Sequence, residues 1–129
     1  LMFQKEVAQR IIAQPGGKAY GRLSVMVQWR CRAAALFDLP PRAFTPAPKV
    51  TSTVIGLQPR GVPLAPADAD RLSAMVAAAF GQRRKMLRSS LRQISSDPVG
   101  LLQAAGLEPT LRAENLSVEQ FCALARAAD

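Results

Sequence analysis

The sequence predicts an α/β segment followed by a small all-α domain, and three observations support this. A run rich in β-branched residues, Val50 to Leu57, is typical of a strand and is closed by Pro59. Proline, glycine and small residues then dominate residues 61–66, which indicates a linker. After the linker, apolar residues recur only at helical spacing. We therefore predict an α/β part over residues 1–62 and a helical part over residues 63–129.

Four elements are predicted before the proline-rich loop of the α/β part, from apolar spacing and from helix-breaking residues. Pro15 and the glycines after it end the first helix, and Pro40 ends the strand that follows the second helix. The second helix is expected to turn Leu23, Met26 and Val27 toward the core. The elements are a strand end at 1–3, a helix at 6–13, a helix at 21–32 and a strand at 33–39.

A stiff loop is predicted between the last two strands of the α/β part. Phe44, Pro46 and Pro48 restrict the backbone of residues 42–49 and favour an extended conformation. Phe44 in this loop is a candidate for stacking on an unpaired base, because a stiff loop loses little entropy in presenting the ring. The alternative is that Phe44 fills a gap at the core edge between sheet and helix.

Helix caps and breakers define the helical part. Asp68 is the expected N-cap of its first helix, and Gly81 breaks or kinks that helix. A basic helix follows and is expected to turn Leu87, Leu91 and Ile94 inward. The caps of the last two helices are Asp97, followed by Pro98, and Ser117, paired with Gln120 in a capping box.

Positive charge is concentrated in one stretch. The chain has a net charge of +8 and is 49% hydrophobic, which describes a folded basic protein rather than a disordered tail. No acidic residue lies between Asp70 and Asp97, so the cations of residues 82–92 lack i,i+4 partners on the predicted helix. The expected partner is a polyanion, either nucleic acid or an anionic membrane; the alternative is a solvated helix face. These cations are Arg83, Arg84, Lys85, Arg88 and Arg92.

Composition excludes several classes of site. The chain has no histidine, and Cys31 and Cys122 are isolated, which excludes the common zinc sites and His-based nucleophile pairs. We expect two buried free thiols.

Glycine-rich nucleotide-binding loops are absent, and residues 15–18 are interpreted as a turn. No apolar run is long enough to span a bilayer, so we expect a cytoplasmic protein. Residues 4–6 follow a strand end and are a candidate rim of a site.

Five motifs occur in the following order: Gln4-Lys5-Glu6-Val7-Ala8; Tyr20-Gly21-Arg22-Leu23-Ser24-Val25-Met26; Ala43-Phe44-Thr45-Pro46-Ala47-Pro48-Lys49-Val50 with Ser52; Ala79-Phe80-Gly81-Gln82-Arg83-Arg84-Lys85 with Leu87-Arg88; and Arg112-Ala113-Glu114-Asn115-Leu116-Ser117. In this order and spacing they closely resemble the C-terminal half of the KsgA (RsmA) family, the small-subunit ribosomal RNA adenine dimethyltransferases. The resemblance covers essentially the whole chain, and the ordered set is much more specific than any single motif.

The resemblance implies the end of a Rossmann-like methyltransferase domain over residues 1–62 and a helical rRNA-binding domain over residues 63–129. It places the S-adenosylmethionine site and an Asn-Leu-Pro-Tyr catalytic motif in sequence before Leu1. This chain alone is therefore expected to bind no cofactor and to be inactive. The intact protein would methylate two adjacent adenosines of small-subunit rRNA, with no metal and no membrane partner.

The resemblance also assigns roles to residues. Phe44 matches the aromatic residue that packs against the flipped target adenine, because a base leaves the stack to be modified. Lys49 is expected to contact a phosphate. The basic residues Arg83, Arg84, Lys85, Arg88 and Arg92 match the family's rRNA-facing region.

Two rival functions remain open. The first is a non-catalytic ribosome-assembly or nucleic-acid-binding module that kept the helical domain. The second is a basic protein that docks only on anionic membranes, against which the absence of a strongly amphipathic, aromatic-rich helix counts.

Overall fold

The computed structural model describes residues 1–128, which form a three-stranded sheet, six α-helices and three short 3-10 helices. None of the described helices is long and apolar enough to cross a membrane. The strands are β1 (Met2–Gln4), β2 (Cys31–Leu39) and β3 (Ser52–Pro59). The α-helices are α1 (Lys5–Ile12), α2 (Arg22–Arg30), α3 (Ala69–Gly81), α4 (Leu87–Ser90), α5 (Pro98–Ala104) and α6 (Val118–Ala127). The 3-10 helices span Pro41–Ala43, Leu91–Gln93 and Ala113–Asn115.

The sheet has the strand order β1-β3-β2, and the central strand β3 is antiparallel to both neighbours. The outer strands β1 and β2 therefore run in the same direction. Helix α1 covers one face of the sheet, where Ala8 and Ile11 pack with Ile55 in a small buried cluster. This cluster is the core of the α/β part.

The other face of the sheet is apolar and uncovered. Met2 and Phe37 both pair with Val54, and because side chains alternate along a strand, all three point away from Ile55. Met2 is 51% exposed and Phe37 is 56% exposed. A β-bulge in β2, between Ala35 and Phe37, adds an exposed Leu36 to this strand. An apolar sheet face is normally packed against another layer.

The larger core joins α2 to the helices that follow the linker. Tyr20, Val25 and Trp29 are buried in one cluster with side chains of α3, α5 and α6. Two polar groups close the contact: the Trp29 indole donates to the Ala65 carbonyl at 2.8 Å, and the Tyr20 hydroxyl donates to the Leu116 carbonyl at 2.6 Å. Burial raises the pKa of Tyr20, so its hydroxyl stays a donor. Helices α3 to α6 are therefore packed onto the α/β part through α2.

The predicted caps are confirmed. Asp68 accepts from the Arg71 amide at 3.0 Å at the start of α3, and α3 ends at Gly81 as predicted. Asp97 caps α5, whose first residue is Pro98. The last helix begins with the predicted capping box of Ser117 and Gln120.

The predicted inner face of α2 was wrong for Leu23, whereas Met26 and Val27 are partly buried and pack against the two cores. Leu23 is 40% exposed, whereas Val25 and Trp29 are buried. The helix lies between the two cores: Val25 and Trp29 face the larger core, and Val27 packs at the edge of the smaller one. A helix with two buried sides has no single apolar stripe.

The predicted basic helix was also wrong. Residues 82–85 form a turn and a bend, and only the short helix α4 follows Met86 before the chain tightens into a 3-10 turn. The backbone N–H of Leu87 donates to Leu111 at 2.8 Å, and Met86 forms a β-bridge with Arg112. These long-range backbone bonds replace the helical ones. As a result Ile94, predicted to point inward, is 45% exposed.

The two cysteines are free thiols, as predicted. Cys122 is buried and its burial raises the pKa of the thiol to about 11. Cys31, expected to be buried, is only half-buried because it lies at the end of an edge strand, β2.

Candidate nucleic-acid interface

Residues 82–92, the basic segment, are held to the protein by two leucines. Leu87 and Leu91 are fully buried in the larger core. Ser90, which lies between them, is buried as well. Four cations of the segment are exposed, and their side chains make no hydrogen bond or ion pair with the described residues 1–128: Arg84, Lys85, Arg88 and Arg92.

Arg83, predicted as part of the same surface, is engaged within the protein. Its Nη1 donates to the Tyr20 carbonyl at 2.6 Å, and its Nη2 donates to the Gly17 carbonyl at 3.0 Å. Nη2 also lies 3.7 Å from a carboxylate oxygen of Glu114, and the guanidinium sits 5.5 Å from the centroid of the Phe80 ring. Arg83 therefore ties the end of α3 to the loop between α1 and α2.

Phe44 is half-buried and follows the 3-10 turn Pro41–Ala43. Its backbone N–H donates to the Pro41 carbonyl at 3.2 Å, which closes that turn. The next peptide bond but one, Thr45-Pro46, is cis. The hydrogen-bonded turn thus constrains the loop directly before the ring, and part of the ring is accessible.

A cavity of about 470 Å³ opens at the sheet edge near this loop. Its wall includes Gln4, Lys5, Glu6 and Lys49, so the predicted rim residues and Lys49 lie around one space. The structure does not bring the basic segment into this wall, because none of residues 82–92 lines it.

An ion pair fixes the strand ends beside this cavity. Lys5 Nζ lies 3.1 Å from Asp38 Oδ2, and the Thr53 hydroxyl donates to Asp38 Oδ1 at 2.7 Å. The hydrogen bonds from Thr53 and Lys5 hold the pKa of the Asp38 carboxyl below its usual value. These side chains come from the start of α1, from β2 and from β3, so the contacts join the first turn of α1 to the sheet beside the cavity.

Sequence reasoning missed a second basic group. Arg83 shares a cavity of about 410 Å³ with Arg10, Lys18 and Arg22, which come from α1, the following loop and the start of α2. The signal was present in the sequence. Lys18 and Arg22 stand on either side of Tyr20-Gly21, and no acidic residue lies between Glu6 and Asp38.

The described residues offer no metal site, since no group of three His, Cys, Asp or Glu side chains could hold an ion. They also do not fit S-adenosylmethionine. A site for an adenosine group needs apolar surface for the ring and polar acceptors for the ribose. The sheet-edge cavity has no aromatic lining, and its one carboxylate, Glu6, is paired with Arg10 at 2.8 Å. A site for this cofactor is not formed by these residues.

Comparison with known proteins identifies relatives over the whole chain. The family model for ribosomal RNA adenine dimethylase matches residues 1–129. Among the relatives are proteins described as "Ribosomal RNA small subunit methyltransferase A". The one from Rhodospirillum rubrum is 61% identical over 129 residues, which are 100% of this chain and 44% of the relative. The one from Ruegeria sp. (strain TM1040) is 60% identical over 98% of this chain and 45% of the relative. The chain thus spans less than half the length of these relatives.

Solved structures share the fold. A dimethyladenosine transferase from Plasmodium falciparum superposes with a TM-score of 0.81 at 23% identity, over 96% of this chain and 55% of that one. The 23S rRNA methyltransferase ErmE superposes with a TM-score of 0.64 at 23% identity, over 98% of this chain and 52% of that one. The three-stranded sheet and the helices of this chain therefore have the fold of the matching part of these two structures. On the match of the family model to every residue, the chain belongs to the ribosomal RNA adenine dimethylase family.

Proposed function

We propose that this chain is the C-terminal part of an S-adenosylmethionine-dependent rRNA adenine dimethyltransferase. In the intact protein it would hold small-subunit rRNA and form one wall of the adenine pocket. The observation that carries the proposal is membership of the family over all 129 residues, at 61% identity to a small-subunit methyltransferase. The order of the five sequence motifs supports the C-terminal assignment.

The uncovered sheet face supports the same assignment. Met2, Leu36 and Phe37 expose apolar side chains on or beside strands that a complete domain would cover. The relatives have more than half of their length outside the matched region. We propose that a preceding segment packs on this face, pairs with the open edge of β1 and carries the cofactor site.

We further propose two functional regions, residues 1–62 as the end of the methyltransferase domain and residues 63–129 as a helical rRNA-binding domain. The composition of the linker and the change from strands to helices support the boundary. Because Tyr20, Val25 and Trp29 belong to the larger core, the helical region would move with α2 as one body. RNA bound by the helices would then keep a fixed position relative to the sheet edge.

Phe44 is proposed to stack on the target adenine. The constrained loop and the partly accessible ring support this role, since a base removed from the RNA stack loses stacking that an aromatic side chain replaces. Lys49, in the wall of the neighbouring cavity, would contact a phosphate. The cofactor supplies the methyl group, and the chain's own residues position the amine that receives it.

Arg84, Lys85, Arg88 and Arg92 are proposed to contact rRNA phosphates. Their exposure and lack of counter-charges support this. Each phosphate contact releases condensed counterions and steepens the salt dependence of binding by roughly 0.9 in the log-log slope for a duplex. Arg83, also in the predicted set, would contribute mainly by fixing the segment.

The test compares charge reversal at two pairs of sites. Arg84→Glu with Arg88→Glu should weaken binding to a small-subunit rRNA fragment and lower the salt slope by about 2. The matched control is Arg32→Glu with Arg71→Glu, which makes the same charge change on β2 and α3. If both pairs lower the slope equally, the basic segment is a solvated surface and the proposed contacts are wrong.

The alternative function is a non-catalytic ribosome-assembly or nucleic-acid-binding module, for which the exposed cations of the basic segment would be sufficient. A methyl-transfer assay distinguishes the dimethyltransferase from the non-catalytic module. Full-length protein that binds small ribosomal subunits and transfers no methyl group would support the module.

A further inference from the structure

The cavity shared by Arg83 and the loop between α1 and α2, here called the basic cavity, gathers cations from separate parts of the sequence. It has a volume of about 410 Å³. Its cationic lining residues are Arg10, Lys18, Arg22 and Arg83, and no carboxylate lines it. By contrast, the cavity between α2 and the start of α6 combines Arg60 with Glu119. The basic cavity is therefore strongly positive.

Two of its four cations are already neutralised. Arg10 pairs with Glu6 at 2.8 Å, and Arg83 lies 3.7 Å from Glu114 while donating to two carbonyls. Lys18 and Arg22 make no ion pair or side-chain hydrogen bond with residues 1–128. The uncompensated charge of the cavity thus comes from Lys18 and Arg22.

The position of Arg22 is unfavourable for folding. It is the first residue of α2, and the first turn of this helix contains no acidic residue. The positive end of the helix dipole repels a cation there, and Asp or Glu is the preferred residue. A residue that opposes local stability is expected where function requires it. An anion bound in the cavity would offset this repulsion.

We infer that the basic cavity binds a backbone phosphate of RNA through Lys18 and Arg22. The inference rests on the proposed function and extends the RNA contact from the helical region into the α/β part. Arginine supplies a planar fork for phosphate oxygens, and lysine supplies a mobile point charge.

Arg83 links this cavity to the basic segment. Its two carbonyl acceptors, on Gly17 and Tyr20, lie on either side of Lys18 in the sequence, and Tyr20 is two residues before Arg22. Arg84, the next residue, is exposed. Arg83 is therefore a positioning residue that sets the two phosphate-binding groups at a fixed separation, so one RNA strand can follow both.

The test measures binding of a small-subunit rRNA fragment to this chain over a series of salt concentrations. Lys18→Glu with Arg22→Glu should weaken binding at least about tenfold near 0.1 M salt and reduce the log-log slope by about 1 to 2. The matched control is Arg32→Glu with Arg71→Glu, which makes the same charge change on β2 and in the first turn of α3. Its affinity should stay within about threefold of the wild type. Lys18→Gln with Arg22→Gln repeats the test without charge reversal.

Stability gives an independent readout. Arg22→Glu replaces a cation by an anion at the start of α2, so its melting temperature should equal or exceed that of the wild type while its RNA affinity falls. A loss of affinity that follows a loss of melting temperature in both the Glu and Gln variants would overturn the inference, because it would mean that these residues only maintain the fold.

The remaining outcomes are distinguishable. If Arg84→Glu with Arg88→Glu weakens binding but Lys18→Glu with Arg22→Glu binds like the control pair Arg32→Glu with Arg71→Glu, the basic cavity is not an RNA site and the proposed function stands. If the wild type shows no salt-dependent RNA binding, both proposals fail. If inorganic phosphate raises the melting temperature through Lys18 and Arg22 without their variants affecting RNA binding, the cavity is a site for a free anion and the inference is wrong.

Discussion

Replacing Arg83 by alanine should destabilise the protein far more than the same replacement at its neighbour Arg84. Arg83 donates to the Tyr20 carbonyl at 2.6 Å and to the Gly17 carbonyl at 3.0 Å. Arg84 is exposed and has no such partner among residues 1–128. The two variants delete the same side chain at adjacent positions, so they differ in these contacts rather than in chemistry.

The expected loss of unfolding free energy in Arg83→Ala follows from the groups that Arg83 contacts. A hydrogen bond to a charged donor contributes about 1.5–3 kcal/mol. The bond to Gly17 is exposed and the Glu114 pair is partly solvated, so each adds about 1 kcal/mol at most. Such contributions are not additive, so we expect Arg83→Ala to lower the free energy of unfolding by about 2–4 kcal/mol. Arg84→Ala should change it by no more than about 0.5 kcal/mol.

Urea unfolding measures this difference. With a slope of about 2 kcal/mol/M, the midpoint of Arg83→Ala should fall by about 1–2 M, while that of Arg84→Ala should not move measurably. Arg83→Lys keeps the charge and loses the fork, so its midpoint should lie between those of Arg83→Ala and the wild type. Equal midpoints for the two alanine variants would refute the structural role of Arg83.

Three other predictions follow from the structure. Ser117→Ala removes the cap of α6 and should cost about 1 kcal/mol in urea unfolding, against a smaller change for the half-buried Ser89→Ala, whose side chain caps no helix. Phe44→Ala in the full-length protein should lower methyl transfer without changing the melting temperature, because the ring is only half-buried; an equal loss of both would indicate a core role. The raised pKa of the Cys122 thiol stabilises the folded state below pH 9, and this contribution is lost as the pH rises toward about 11. Cys122→Ala should therefore flatten the fall of the unfolding free energy over that range, and an unchanged pH profile would contradict the assignment.

Local chemistry was predictable from the sequence where one or two neighbouring residues decide the conformation. Asp68, Asp97 and Ser117 cap their helices as predicted because the capping side chain and the backbone N–H that donates to it lie three residues apart. The β-branched run before Pro59 likewise forms β3. These features need no knowledge of the rest of the fold.

Features that depend on distant partners were not predictable. The basic segment was expected to be helical from its apolar spacing, but the Leu87 amide bonds to Leu111 and prevents it. The acceptors of Arg83 lie 63 and 66 residues earlier in the chain, so its sequence context as one of several arginines gave no sign of a structural role. The basic cavity was missed for the same reason, because α1, α2 and the end of α3 meet only in the folded protein.

The central claim is that this chain supplies RNA binding to a dimethyltransferase whose cofactor site lies in the preceding segment. The most direct test is transfer of labelled methyl groups from S-adenosylmethionine to unmethylated small ribosomal subunits, by this chain and by the full-length protein in parallel. We predict N6,N6-dimethyladenosine at two adjacent positions with the full-length protein, and RNA binding without transfer with this chain. Methyl transfer by the 129-residue chain alone, or none by the full-length protein, would contradict the claim.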